Sequence, residues 1–232
     1  MPVKRIFLHI GTHKTGTTSF QSLLVDHAAH LRAHGLVPYI ERRYGGEEAN
    51  CFRMVHDILR RSAITGSRYQ GHVAPPGIIP LVRTAHHIRR FLRDSGDADV
   101  VFSAEAFSFL RSPSEWARLR LVLGLTGMGI RIIPILALRN AADWRASWTD
   151  QIAKNPALAP DMAKPDFPLL ADWWFDRAAI IRFWSRSGHL RIIDYDRAMT
   201  ENGDILPALL AAMDVPHVPG MDYRANRRSP AG

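Results

Sequence analysis

The 232-residue sequence predicts an α/β fold: a mostly parallel central sheet flanked by helices in a three-layer sandwich. Three observations predict it. Short apolar runs alternate with amphipathic stretches along most of the chain, the pattern of successive βα units. The first run, Ile6 to Ile10, stops at Gly11, and a second glycine, Gly16, precedes a helical pattern. A later run, Gly129 to Leu138, is apolar almost throughout, as expected of a central strand covered on both faces.

The elements follow in order. The first strand covers Arg5 to Ile10, and the helix after it sets Phe20, Leu23, Leu24, Ala28 and Leu31 on one face. Residues 41–77 are rich in Gly, Pro and charge, with one short helical pattern around Phe52 to Ile64. They read as an excursion from the sheet, either a substrate lid or a surface loop. Leu81, Val82, Ala85, Ile88 and Leu92 mark a helix ending near Gly96, and Asp99 to Ser103 is a second strand. Ser112-Pro113-Ser114-Glu115 is a capping-box start with proline at the first helical position, opening a helix that carries Trp116, Leu119 and Leu123. Arg139-Asn140 ends the Gly129–Leu138 strand, and a helix runs from Ala141 to about Ala153. Pro156, Pro160, Pro165 and Pro168 mark a connecting loop, followed by one long helix to Gly188 with aromatic residues at 173, 174, 175, 183 and 184. Leu190 to Ile193 is a further strand leading into Asp194-Tyr195-Asp196. A last helix covers about Ile205 to Met213, and residues 216–232 form an irregular basic tail. With no internal repeat and no clear linker, residues 1–232 are expected to be a single domain.

The chemistry concentrates at Gly11-Thr12-His13-Lys14-Thr15-Gly16-Thr17-Thr18-Ser19. Strand, glycine loop and helix in that order make an anion cradle. Backbone N–H groups converge, the helix N-terminus adds partial positive charge, and Lys14 adds a full one. A phosphate or sulfate ester belongs here. The common nucleotide-triphosphatase loop, G-x-x-x-x-G-K-[ST], carries its lysine after the second glycine. Here Lys14 precedes Gly16, and Thr17 takes the usual lysine place.

The K-T-G-T-T order resembles the 5′-phosphosulfate loop of the sulfotransferases that use 3′-phosphoadenosine 5′-phosphosulfate (PAPS), enzymes with a P-loop-like fold. A second feature supports the resemblance. Arg139 ends a strand and Ser147 follows eight residues later, on the second turn of the next helix. That is similar to the family's element for the cofactor's 3′-phosphate. The resemblance covers most of the chain through the α/β pattern and rests on these two motifs.

It implies that PAPS is the donor and that Thr12, His13, Lys14, Thr15, Gly16, Thr17 and Thr18 form the cofactor loop, with Lys14, Gly16, Thr17 and Thr18 on the 5′-phosphosulfate. It implies that Arg139 and Ser147 hold the 3′-phosphate. Arg227 and Arg228 would match the family's basic loop over that phosphate, or else belong to a basic tail. Tyr195 would contact adenine, or else serve as a core or rim tyrosine. Sulfuryl transfer needs in-line positioning, charge stabilisation and removal of the acceptor's proton. Lys14 would stabilise the developing charge. Members of the family take the proton with a histidine or a glutamate at a strand end near the loop. Glu105, just after the Asp99–Ser103 strand, is the first candidate, with ion pairing or helix capping as its alternative role. His13, inside the loop, is the second candidate, its ring otherwise packing outside the site. His9, in a strand, and His86 and His87, on a helix, read as structural. Trp144, Trp148, Trp173 and Trp174 read first as core; Trp144 and Trp148 lie one helical turn apart on the Ser147 helix, which leaves lining an acceptor pocket as the alternative for at least one of them.

Composition narrows the remaining classes. The chain carries 30 Lys+Arg against 22 Asp+Glu, a net charge of +8. Such a balance suits an anionic cofactor, an acidic acceptor or simply a solvated basic surface. No nucleic-acid-recognition motif accompanies it, so no nucleic-acid partner is expected. No His/Cys/Asp cluster has metal-ligand spacing, and no bound metal is expected. The single cysteine, Cys51, excludes an internal disulfide framework and makes a cytoplasmic setting the default. No apolar run reaches the roughly 20 residues of a membrane span, so no transmembrane segment is expected, and peripheral membrane contact stays open. The acceptor is read as a small molecule, saccharide or lipid-linked sugar presenting a hydroxyl or amine. A nucleotide-dependent P-loop kinase and a non-catalytic anion-binding module are the competing readings.

Overall fold

The computed structural model describes residues 4–43, 46–124 and 129–217. Its elements begin with β1 (Lys4–Gly11), α1 (Thr17–Asp26), α2 (Ala28–Ala33) and β2 (Leu36–Pro38). An excursion follows: a hairpin of β3 (Glu41–Arg43) and β4 (Gly46–Glu48), then α3 (Phe52–Ile58) and α4 (Gly66–Tyr69). The chain returns through α5 (Ile78–Asp94), β5 (Asp99–Ser103), α6 (Pro113–Leu123), β6 (Ile130–Leu138) and α7 (Ala141–Ala153). It continues through α8 (Asp172–Phe175), α9 (Arg177–Trp184), β7 (Arg191–Asp194), α10 (Tyr195–Asn202) and α11 (Leu206–Ala211).

The main sheet has the order β2-β5-β1-β6-β7, and every pairing within it is parallel. Alternation along β1 explains the three layers. Ile6, Leu8 and Ile10 enter one core with Val100, Phe102, Ile132 and Leu136, beneath α3, α5, α6, α7 and α9. Phe7 enters the other with Val101, Ile133 and Ile135, beneath α1, α2 and α11. Both faces are covered, which is why these strands read as nearly continuous apolar runs. The sequence leads from β1 to the β2 edge, returns to β5, and then crosses to β6 on the far side of β1. The crevice at the carboxyl ends of β1 and β6 is therefore the switch point where such sheets bind ligands.

Most predicted elements form where expected, and β5 and α7 match residue for residue. Four differ. The first helix breaks at His27 into α1 and α2. The edge strand β2 has only three residues, too few for a pattern to register. The single long helix expected before Gly188 is divided. A 3-10 turn covers Pro168–Leu170, α8 ends at Phe175, and Asp176 restarts the chain as N-cap of α9 by accepting from the Ala179 N–H. The segment after β7 is helical, because the Asp194 side chain caps α10 by accepting from the Arg197 N–H.

The capping box at α6 forms as read: Ser112 Oγ accepts from the Glu115 N–H at 3.2 Å, and Glu115 accepts from the Ser112 N–H at 2.7 Å. Glu115 does more than cap. It is fully buried and also accepts from the backbone N–H groups of Arg60 (2.8 Å) and Arg111 (2.7 Å) and from Arg60 Nη1 (3.1 Å). One carboxylate thus ties the turn after α3, within the excursion, to α6. Burial alone would push that carboxyl up. The three backbone N–H groups and the Arg60 charge outweigh burial and hold it below its ordinary value.

Candidate active site

The loop after β1 is built around two backbone angles that side chains resist. Lys14 has φ 70° and Gly16 has φ 77°. Left-handed residues interleaved with ordinary ones turn successive N–H groups toward one side, which makes an anion nest. Gly16 is needed for two reasons. Its φ is left-handed, and a Cβ there would stand 2.6 Å from Ile205 Cγ2. Gly11 is needed for one: a Cβ would stand 2.0 Å from Thr17 Oγ1. The loop is pinned from within. Thr15 Oγ1 donates to the Thr12 carbonyl at 2.6 Å, and Thr12 Oγ1 donates to the Ala137 carbonyl on β6 at 3.1 Å. Gly16 supplies no side-chain cap to α1, so the helix's first N–H groups face the nest uncapped. Lys14 and Thr18 are exposed beside it.

Thr17 behaves differently from its neighbour. Its hydroxyl is buried against Gly11 and has no hydrogen-bond partner. The Thr17 side chain lies at the floor of the loop, against Gly11. His13 also turns inward. Its ring lies 4.3 Å from that of Trp148 and 5.6 Å from those of Phe109 and Trp174. Burial among these rings, with the Lys14 charge beside it, lowers the imidazole to about 4, so it is neutral at pH 7. Trp148 is held in turn by Nε1 donating to the Leu169 carbonyl at 2.8 Å. Trp144 and Trp148 are both buried and serve the core.

Glu105 opens a 3-10 turn, Glu105–Phe109, directly after β5, the strand paired with β1. Its carboxylate hydrogen-bonds its own backbone N–H and the side chains of Gln21 on α1 and Asn50 at the start of the α3 segment. Burial pushes the carboxyl above its ordinary 4.5, and those three hydrogen bonds oppose the rise. Gln21 Nε2 also reaches Ser103 Oγ at 3.4 Å, and Ser103 Oγ lies 2.9 Å from His9 Nδ1. His9 is fully buried, and burial drives its imidazole down to about 3, so it carries a single ring proton. The result is a chain His9–Ser103–Gln21–Glu105 linking the β1 floor to the candidate base. Sequence reading placed His9 correctly as buried structure but had no signal for Gln21 or Asn50, which meet Glu105 only in the fold. Beside them a cavity of about 370 Å3 is lined by Thr18, Gln21 and Asn50, with Asp26, Glu47 and Glu48 among its other walls.

On the other side of the loop, β6 ends in Arg139. Its guanidinium carbon lies 5.6 Å from the centre of the Tyr195 ring, and its Nε lies 3.8 Å from Asp196 Oδ1. That Nε makes no hydrogen bond. Asp196 also accepts from the Asn140 N–H at 2.7 Å, fixing the turn that aims Arg139. Ser147 is half-buried on the second turn of α7. Glu105, the Lys14 loop, Arg139 and Tyr195 thus stand at the ends of four adjacent parallel strands. Arg227 and Arg228 lie outside the described residues.

No family model matches the sequence, and no curated protein does. Solved structures do match. The sulfotransferase domain of an olefin synthase from Synechococcus PCC 7002 aligns with 94% of this chain and 76% of its own length, at a TM-score of 0.51 and 12% identity. The sulfotransferase domain from the curacin biosynthetic pathway aligns with 95% of this chain and 77% of its own length, at 0.48 and 13%. Retinol dehydratase, solved with androsterone and the inactive cofactor PAP, aligns with 94% and 62%, at 0.40 and 13%. The chain has the sulfotransferase fold. Among the described residues, no helix is long and apolar enough to cross a membrane.

Proposed function

We propose that this protein is a sulfotransferase that takes PAPS as donor and sulfates a hydroxyl or amine of a small-molecule, saccharide or lipid-linked acceptor. One observation carries the reading. A lysine held in left-handed backbone closes an anion nest over an uncapped helix N-terminus, at the switch point of a sheet with the sulfotransferase fold. The residues suit such a nucleotide. A Cβ at Gly11 or Gly16 would intrude into the loop packing, and Arg139 Nε is left without a hydrogen bond at the neighbouring strand end.

PAPS supplies the sulfuryl group when bound. Backbone N–H groups of the loop and α1 orient the phosphosulfate, and Thr18 adds a hydroxyl. Lys14 stabilises the charge that grows on the departing phosphate oxygen. Arg139, steadied by Asp196, and Ser147 take the 3′-phosphate, with Tyr195 beside the base. Glu105 would take the proton of the acceptor hydroxyl or amine. Its raised pKa makes it a better base at neutral pH than an ordinary glutamate. His13, with an imidazole near 4 and its ring against three aromatic residues, supports the loop's floor instead. The cavity walled by Gln21 and Asn50 supports an acceptor site next to Glu105.

The test is incubation with PAPS labelled in the sulfuryl group and a metabolite extract, run beside Glu105→Gln. A labelled product formed by the wild type and not by the variant is expected. Release of label without an organic product, or equal product from both proteins, would defeat the reading.

A further inference from the structure

Six large hydrophobic residues are exposed among the described residues, and four of them fall in one region. Ile78, Ile79 and Val82, on the first two turns of α5, are 71%, 62% and 56% exposed. Ile64 is 41% exposed, and three residues before it Arg61 Nε donates to the Pro76 carbonyl, which brings the 61–64 turn alongside the start of α5. Leu81, Ala85, Ile88 and Leu92 already fill the buried stripe of α5. The apolar tip is therefore extra to what the core requires.

Below that tip the same helix is basic. α5 holds four arginines, at 83, 89, 90 and 93, and one acid, Asp94 in its last turn. Ile79, Arg83, His86 and Arg90 recur at a spacing of four, three and four residues, so they share the outward face. An apolar tip followed by a cationic belt is the pattern of a segment that lies at a lipid interface, where apolar side chains enter the acyl boundary and arginines meet anionic headgroups. A second copy docked through the same patch would set two arginine rows together, which like-charge repulsion disfavours.

The patch also lies at the site's end of the molecule. Lys4, at the start of β1, donates to the carbonyls of Leu92 and Gly96 at the far end of α5. A 17-residue helix is about 25 Å long. Its first turn accordingly reaches the edge of the sheet where the strands end and the Lys14 loop begins.

We propose that the α5 tip and its arginine face are a docking surface for an anionic lipid bilayer, which holds the candidate site at the membrane–water boundary. The proposal does not depend on the sulfotransferase reading, and binding is measured without turnover. The full chain is sedimented with vesicles of neutral phosphatidylcholine and with vesicles containing about a third phosphatidylserine. Binding to the anionic vesicles alone is expected, weakened by 0.5 M salt. Ile79→Glu/Val82→Glu should lower that partitioning by about tenfold or more, and Arg83→Gln/Arg90→Gln should lower it with a reduced salt dependence. All four positions are exposed, and circular dichroism with thermal melting checks that each variant stays folded. Equal binding to neutral vesicles, no binding to anionic ones, or wild-type binding by the folded isoleucine–valine variant would overturn the proposal. So would a dimer in light scattering that the same variant dissociates, since a second copy would then cover the patch.

Discussion

Lys14 holds a backbone angle that its own Cβ resists, and the role proposed for it would explain that strain. A lysine in the left-handed region costs on the order of 1 kcal/mol, which the pinning bonds of Thr12 and Thr15 offset. Lys14→Ala should stay folded, bind nucleotide weakly and lose about 10²–10³ in turnover, the loss typical of one donor removed from a developing oxyanion. Lys14→Gly should lose as much turnover but melt above Lys14→Ala, because glycine accepts φ 70° without strain. A lower melting point for the glycine variant would show that Lys14 is not strained. The base is tested by its pH dependence. If Glu105 is the base it must work deprotonated, so kcat should fall as pH drops through its raised pKa. Gln21→Leu removes a hydrogen bond that favours the charged form, so the acid limb should move to still higher pH with nucleotide affinity unchanged. An unmoved limb in Gln21→Leu, or a limb that disappears in His13→Ala but not in Glu105→Gln, would remove Glu105 from that role. The contacts that join this network were not legible beforehand. Gln21 and Ser103 are 82 residues apart, and His9 and Ser103 are 94 apart. Glu105 itself was legible, because a lone acid after an apolar strand stands at the ligand edge of a parallel sheet.

At the scale of elements, the signals that were local came through and those set by packing did not. The α6 capping box and the Asn140 start of α7 depend on side chains two or three residues from the groups they cap, so their sequence positions predict them. The division of 168–188 depends on Asp176 capping α9 and on Trp173, Trp174 and Phe175 packing toward Phe109, Trp148 and Trp144. An aromatic run at helical spacing cannot reveal that it serves two short helices. The buried Glu115 was visible only as a cap, whereas its larger part is to join Arg60 and Arg111 to α6. Glu115→Gln should therefore destabilise by about 3 kcal/mol, the low end for breaking a buried pair, since Arg60 keeps some water. For a chain of this size that lowers the melting temperature by roughly 6–12 °C. The sign with pH follows from the depressed carboxyl. Its stabilisation is fully present above the unfolded value of 4.5 and is lost as pH falls through the lower folded value. The wild type and Glu115→Gln should thus converge in stability toward acid pH, and a constant gap down to pH 2 would contradict the assignment.

For the whole molecule, the alternation of strands and helices gave the class but not the sheet order. β2 is a three-residue edge whose place beside β5 no residue pattern in it announces. Once that order is known, four strand ends meet, and the Lys14 loop lies between Glu105 on one side and Arg139 on the other. This arrangement separates the two jobs. In the proposed reading the β5 side would carry the proton, and the β6 and β7 side the nucleotide's 3′-phosphate. The separation predicts how binding shifts stability. A ligand at 100 times its Kd adds about 2.7 kcal/mol, which for a chain of this size raises the melting temperature by roughly 5–11 °C. 3′-Phosphoadenosine 5′-phosphate should reach that shift at far lower concentration than adenosine 5′-phosphate, and a metal chelator should not change it. Arg139→Ala should erase most of the difference between the two nucleotides, because a charge-assisted hydrogen bond contributes about 1.5–3 kcal/mol. Ser147→Ala should reduce it less. Glu105→Gln should leave it intact, since the base touches the acceptor and not the nucleotide. If ATP stabilises the protein better than 3′-phosphoadenosine 5′-phosphate, and only when magnesium is free, the loop serves phosphoryl transfer and the 3′-phosphate site assigned to Arg139 is wrong.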